Sequence, residues 1–312
     1  MVSRTGDETS RALVECVPNF SEGTRNEVMD AIQAAASDVE GARVLDRHAD
    51  AVHNRMVLTI AGTPGPVAEA AFRAVRRAAE LIDLEKHRGV HPRIGATDVL
   101  PFVPLGATSM DICTELAVRV GRRIAAELDI PVYLYAEAAR SAQRRRLPDI
   151  RRGEYERLKT EIGSDPSVAP DFGPARVGPA GATVVGARRP LIAYNVTLAT
   201  RDLGVAQSIA RQIRESSGGL PAVQARGFRT ALPDVVQVSM NLLDTRRTSM
   251  WIVFERIREE ARLRGVGVLE SELVGLAPAE ALVEVARQSL RFGKLDADAM
   301  LETRLLELAL EP

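Results

Sequence analysis

All four histidines of this 312-residue chain, His48, His53, His87 and His91, lie within residues 48–91. Imidazole accepts and returns a proton near neutral pH, so proton-transfer chemistry is expected in this stretch. His87 and His91 have the spacing of a helical metal pair. Gly89 and Pro92 argue that the helix has ended there, and Arg88 rather than Glu follows His87, so the zinc-protease pattern is absent. A metal centre built from the four histidines stays as an alternative; no metal is the expectation. His87, after a helical run and between Lys86 and Arg88, reads as a helix-end cation. His91 is followed by Pro92 and flanked by Gly89 and Gly95, which puts its imidazole on a stiff loop suited to proton transfer. Arg55 and Arg93 are candidates to grip a carboxylate through paired hydrogen bonds, with a plain salt bridge as the alternative for each. Asp46, Asp50 and Asp98 are candidates to orient His91 or balance its charge, and the sequence does not choose among them.

The elements that position these groups follow from apolar periodicity. Strands are expected at residues 13–17, 42–47 and 55–61, with the polar segment 48–54 between the last two. Helices are expected at 25–36, 66–84 and 109–128, and strands at 98–103 and 132–135. Residues 163–181, with four prolines and four glycines, read as a long loop or linker. Beyond it the pattern recurs, with strands at 183–186, 191–198, 222–229, 235–242 and 266–275. Helices are expected at 202–215, 248–264, from Pro278 and from Asp296. Both halves therefore read as β-α-β-β-α-β units, an α/β chain of the α+β sandwich type. Two similar ferredoxin-like subdomains are expected, residues 1–180 and 181–312, with helices packed on mixed or antiparallel sheets.

Composition narrows the function classes. With 41 basic against 42 acidic residues and only 4% aromatics, nucleic acid is a poor partner. Lysine occurs only at 86, 159 and 294, so an arginine cluster carries less functional weight than usual. The run Arg140, Arg144, Arg145, Arg146, Arg151 and Arg152 reads first as a solvated surface, and second as an attractor for an anionic tail. The first dozen residues lack the apolar core of a signal peptide, and no apolar run is long enough to span a bilayer, so the chain reads as cytoplasmic with no membrane partner. Cys16 and Cys113 sit in apolar patterns and are expected as buried, reduced thiols.

Leu13-Val14-Glu15-Cys16-Val17-Pro18-Asn19-Phe20-Ser21-Glu22-Gly23 resembles the opening of the formiminotransferase domain, known from formiminotransferase-cyclodeaminase. The resemblance continues through Asn54-Arg55, His91-Pro92-Arg93 with Gly95 to Val99, and Pro131 to Tyr135. It extends to Ala169 to Pro174, Gly181 to Thr183, Gly186 to Arg188, Gln237 to Asp244 and Glu272 to Leu276, nearly the whole chain in order. Val90 departs from the pattern, which carries Glu there, as does His48, where some members carry Asp.

The resemblance implies transfer of a formimidoyl group from N-formimino-L-glutamate to tetrahydrofolate, giving L-glutamate, in histidine breakdown. Tetrahydrofolate is then a co-substrate held in a groove between two subdomains, with His91 catalytic. The candidate substrate and folate contacts are Asn54, Arg55, Arg93, Asp98, Phe172, Gly173, Pro174, Gly178 and Gly181; the resemblance puts the folate loop on Gly173 to Gly181, within the stretch read above as a linker. Phe172 offers a flat apolar surface to a ligand ring, or pins the linker to the core. A homodimer is expected, and a separate cyclodeaminase for the following step, since Pro312 leaves no room for that domain. Formyl transfer from N-formylglutamate, and a folate-binding homologue without turnover, are the alternatives.

Overall fold

A computed structural model of the chain describes residues 12–303. Residues 1–11 and the part of the expected last helix beyond 303 lie outside the described residues; within them Ala297–Ala299 form a single tight turn of helix. The chain divides into two compact units between Arg189 and Pro190.

In the first unit, β1 (Leu13–Cys16) and β2 (Asn19–Phe20) form one strand interrupted at Val17-Pro18. Both pieces pair with β4 (Arg55–Gly62) and with β5 (Thr97–Leu105), antiparallel throughout. Pro18 cannot donate to the ladder, yet its carbonyl still accepts the Leu58 N–H at 3.1 Å, so the break costs little pairing. The strand β3 (Ala42–Asp50) closes that side of the sheet against β4. With α1 (Asn26–Ser37) and α2 (Pro64–Leu81), these strands make the expected β-α-β-β-α-β unit. Alanines at 70, 71, 74 and 78 of α2 are fully buried, which lets the helix lie close to the sheet.

The unit does not stop there. After α3 (Met110–Leu128), β6 (Val132–Ala136) and β7 (Thr183–Ala187) add to the far side of β5, both parallel to it in direction, with β7 in the middle. The strand expected to open the second half thus belongs to the first unit's mixed sheet. One face of this sheet is sealed by α1, α2 and α3 around Ile32, Phe72, Leu100 and Ile124. On the other face two short helices, α4 (Leu147–Ile150) and α5 (Glu154–Glu161), cover only the β5, β6 and β7 part, packing Leu158 and Ile162 near Val99, Tyr133 and Val184. Half of their residues are charged, so in sequence that stretch reads only as an arginine-rich segment.

The second unit carries β8 (Ile192–Leu198), α6 (Leu203–Ile213), β9 (Val223–Arg229), β10 (Val236–Leu242), α7 (Met250–Arg262), β11 (Val268–Val274) and α8 (Ala279–Ser289). Its four antiparallel strands lie in the order β11, β8, β10, β9, the ferredoxin-like order expected from the β-α-β-β-α-β pattern. Val196, Val238, Ile209, Val253 and Ile257 form its core. Cys16 and Cys113 are free and buried, and among the described residues no helix is long and apolar enough to cross a membrane.

Candidate active site

Within the first unit, α4 and α5 leave the β3, β4 and β1–β2 part of the second sheet face without a helix. Met56, Leu58 and Ile60 of β4 point into the helical core, so the alternate positions Arg55, Val57 and Thr59 point to the second face, where Val57 and Thr59 are themselves buried. Their partners on β3 are Asp50, His48 and Asp46, and Asn19 of β2 faces Val57 and Val99. A polar field is therefore laid down by strand alternation alone.

The loop after α2 crosses the edge of this field, and both its ends are anchored. Leu84 donates to the Pro179 carbonyl at 2.8 Å, Ala96 to Ala180 at 2.8 Å, and Ala182 to Ile94 at 2.9 Å. A Cβ at Gly95 would lie 1.9 Å from the Ala182 carbonyl oxygen, so only glycine permits this approach. Asp98, 1% exposed, accepts from the Ile94 N–H at 2.8 Å through Oδ1 and pairs with Arg151 through Oδ2. The carboxylate thus closes the turn that carries His91 and does not touch the imidazole itself.

The middle of the loop is tied to the β3–β4 turn. Asn54 holds a left-handed backbone (φ 47), accepts from Gly23 N–H at 2.8 Å and donates to the Arg88 carbonyl at 2.7 Å. His87 Nε2 lies 3.1 Å from the Asn54 carbonyl, while its Nδ1 accepts from Arg93 Nε at 3.2 Å. These partners fix His87 as neutral with the proton on Nε2. Burial, then the Arg93 charge, holds its pKa below the ordinary histidine value, so the solvent-facing helix-end cation expected from Lys86 and Arg88 is replaced by a buried link. Arg93, 7% exposed, is saturated: Glu156 takes both Nη atoms at 2.9 and 2.7 Å, and Glu154 takes Nη1 at 3.0 Å.

His91 meets Arg55. The guanidinium Nη1 stands 3.2 Å from His91 Nε2 and 3.5 Å from Asn19 Oδ1. Guanidinium nitrogens only donate, so Nε2 accepts and the neutral ring carries its proton on Nδ1. Burial first, then the charges of Arg55 and Arg151, push the His91 pKa well below its ordinary value. Arg55 makes no ion pair among the described residues, and its buried Nε has no hydrogen-bond partner. Asp50 does not face His91: it receives His53 Nδ1 at 2.6 Å and the Val52 and His53 amides, which hold its carboxyl far below the usual range. Asp46 lies along β3 opposite Thr59.

The structure therefore gathers His91, Arg55, Asn54, Asp98 and the Asp50–His53 pair at one end of this second face. The linker residues divide. Gly178 and Gly181 bond to each other, and Gly181 (φ 68) bridges Gly95 at the foot of the His91 loop. Phe172, Gly173 and Pro174 are at the β6 edge, with three strands between them and β4. There Phe172 exchanges backbone hydrogen bonds with Val132, and its ring lies against Gly121 under the Arg122 and Arg140 guanidiniums. Sequence reasoning placed Arg151 only in a run read first as solvated surface, and missed Glu154 and Glu156, which sit in a charged stretch with a short apolar period, and Asn19, which carried no chemical signal of its own. Among the described residues no three His, Cys, Asp or Glu side chains converge as metal ligands.

Residues 13–188 match the family model for the formiminotransferase domain, N-terminal subdomain, and residues 193–311 that for the formiminotransferase domain. A glutamate formimidoyltransferase of Thermoplasma acidophilum is 44% identical over 96% of this chain and 99% of its own length. One from Streptococcus pyogenes is 43% identical over 94% and 99%. The mouse formimidoyltransferase-cyclodeaminase is 46% identical over 88% of this chain and 52% of that protein. Two family models in tandem and full-length relatives at this identity leave one assignment: the chain belongs to the formiminotransferase family.

Proposed function

We propose that the chain is a glutamate formimidoyltransferase, moving the formimidoyl group of N-formimino-L-glutamate to tetrahydrofolate to give 5-formimidoyltetrahydrofolate and L-glutamate. The observation that carries the reading is a neutral imidazole, His91, bonded to a guanidinium, Arg55, that has no carboxylate of its own. The folate nitrogen that attacks the formimidoyl carbon acquires a proton it must lose, and the departing glutamate nitrogen must gain one. A single imidazole does both in sequence, as base and then as acid. With its pKa held low, His91 stays unprotonated and able to accept at neutral pH, and once protonated it is a strong donor to the leaving amine. A donor carboxylate arriving at Arg55 draws the guanidinium toward itself and frees the Nε2 lone pair. Arg93, held by Glu154 and Glu156, stiffens the loop instead of gripping substrate. Asn54 sets the Arg55 backbone, and Gly178 and Gly181 shape the folate side of the loop.

The test is an assay of purified protein with tetrahydrofolate and, separately, N-formimino- and N-formylglutamate. A folate adduct from the formimino donor supports the reading, an adduct from the formyl donor alone moves the protein to formyl transfer, and neither leaves a folate-binding homologue. Metal-free, chelator-treated protein is expected to keep its turnover; stoichiometric zinc whose removal abolishes it would restore the metal alternative. We also infer a homodimer acting in the cytoplasm in histidine breakdown, checked by light scattering and by growth on histidine.

Phe172 we read as an anchor of the linker. Phe172→Ala is expected to lose about 2–3 kcal/mol of stability, less than a fully buried phenylalanine because the ring is partly exposed. Thermal unfolding and folate titration check it: a lower melting temperature with folate affinity held within about twofold is the anchor's signature. Weakened folate binding at an unchanged melting temperature would put the ring on the ligand.

A further inference from the structure

Arg151 stands between α4 and α5 with its side chain 15% exposed, and one Nη is given to Asp98 Oδ2. Its Nε, like that of Arg55, is a buried N–H with no acceptor. A buried donor without a partner is costly and is tolerated where a ligand brings the acceptor. The two guanidiniums belong to one site. Asn19, which takes Arg55 Nη1, pairs with Val99, the neighbour of Asp98, and the Arg151 charge bears on both Arg55 and His91. Among the described residues the Asp98 carboxylate is the one paired with either guanidinium, because Asp50 is committed to His53. Two guanidiniums with an orphaned N–H each, on a face where His91 awaits a substrate, suit an anion with two separate carboxylates.

We propose that Arg151 is a donor-binding residue: Arg55, in contact with His91, takes the carboxylate next to the reacting nitrogen, and Arg151 takes the side-chain carboxylate of the glutamate moiety. This rests on the function proposed above and assigns its donor specificity. Glutamate is then told from glutamine by a residue that the sequence hides in a run of surface arginines. Asp98 holds Arg151 and the His91 turn together, so donor recognition and loop placement share one carboxylate.

The experiment crosses protein and ligand changes. Calorimetric titration with L-glutamate and L-glutamine, and turnover of N-formimino-L-glutamate and N-formimino-L-glutamine, are compared between wild type and Arg151→Gln. The proposal expects at least about a tenfold loss of glutamate affinity and a similar rise in donor KM, with the glutamine ligands and the KM for tetrahydrofolate changed less than about twofold. Because Arg151→Gln leaves Asp98 unpaired, the double variant Asp98→Asn/Arg151→Gln is run beside it and is expected to show the same loss of selectivity. Equal losses for both ligands mean a structural role and overturn the proposal, as does an effect on tetrahydrofolate that disappears with tetrahydropteroate. Wild-type protein that binds glutamate over glutamine through Arg151, yet turns over no formimino donor, would keep this site and defeat the proposed reaction, so the two failures are distinct.

Discussion

Replacing His91 by alanine is expected to lower kcat by at least about a hundredfold, within the roughly 10²–10⁴-fold range of general acid-base groups, while the melting temperature and folate affinity stay close to wild type. The reason for the split is local. His91 is partly exposed in the middle of a loop whose two ends are anchored through backbone groups and Asp98, and among the described residues its side-chain hydrogen bond is to Arg55. Removing the ring leaves the anchors in place. What is lost is the group that takes a proton from the attacking nitrogen and returns one to the departing amine. Steady-state kinetics with saturating tetrahydrofolate, paired with thermal unfolding, checks this. Turnover near the wild-type value would remove His91 from the reaction, and a fall in both turnover and melting temperature would make it a structural residue.

The sequence carried the position of His91 well, because glycine, proline and the ends of two regular elements frame it, and these act on the backbone locally. Strand alternation likewise carried the polar second face, since the direction of Arg55 follows from the burial of Met56, Leu58 and Ile60 in the helical core. It could not say which arginine was free. Arg55 and Arg93 look alike in sequence, and the carboxylates that saturate Arg93 come from Glu154 and Glu156, 61 and 63 residues later, on a short helix whose apolar stripe is diluted by charges. The same limit hid the pairing of Asp50 with His53 instead of His91. A carboxylate beside a tight turn bonds what the turn presents, and here that is the Val52 and His53 amides and the His53 ring. The placement of Thr183–Ala187 was hidden for a different reason. Its residues are buried on both faces and paired in parallel with strands on either side, and a continuous apolar run carries no mark of the sheet it joins.

Arg55→Gln separates carboxylate binding from proton transfer, and it is expected to change both in predictable directions. Loss of a charge-assisted, partly buried carboxylate contact costs about 1.5–3 kcal/mol, which is roughly 10- to 150-fold in kcat/KM for the formimino donor. The KM for tetrahydrofolate should move little. The pH dependence supplies the second signature. His91 must be unprotonated to act as the base, so kcat/KM falls as pH drops through its pKa in the free enzyme. Burial, followed by the Arg55 and Arg151 charges, holds that pKa well below 6.5 in the wild type, and the acid limb lies correspondingly low. Removing the Arg55 charge takes away the second of these causes and leaves the first, so the limb should shift upward yet stay below 6.5. In the wild-type enzyme a bound donor carboxylate does part of the same work by neutralising Arg55, so the acid limb of kcat should lie above that of kcat/KM, and the variant should show a smaller difference, kept only through the carboxylate at Arg151. An acid limb that does not move in Arg55→Gln would mean that the guanidinium has no electrostatic hold on the reacting imidazole, whatever it does for binding.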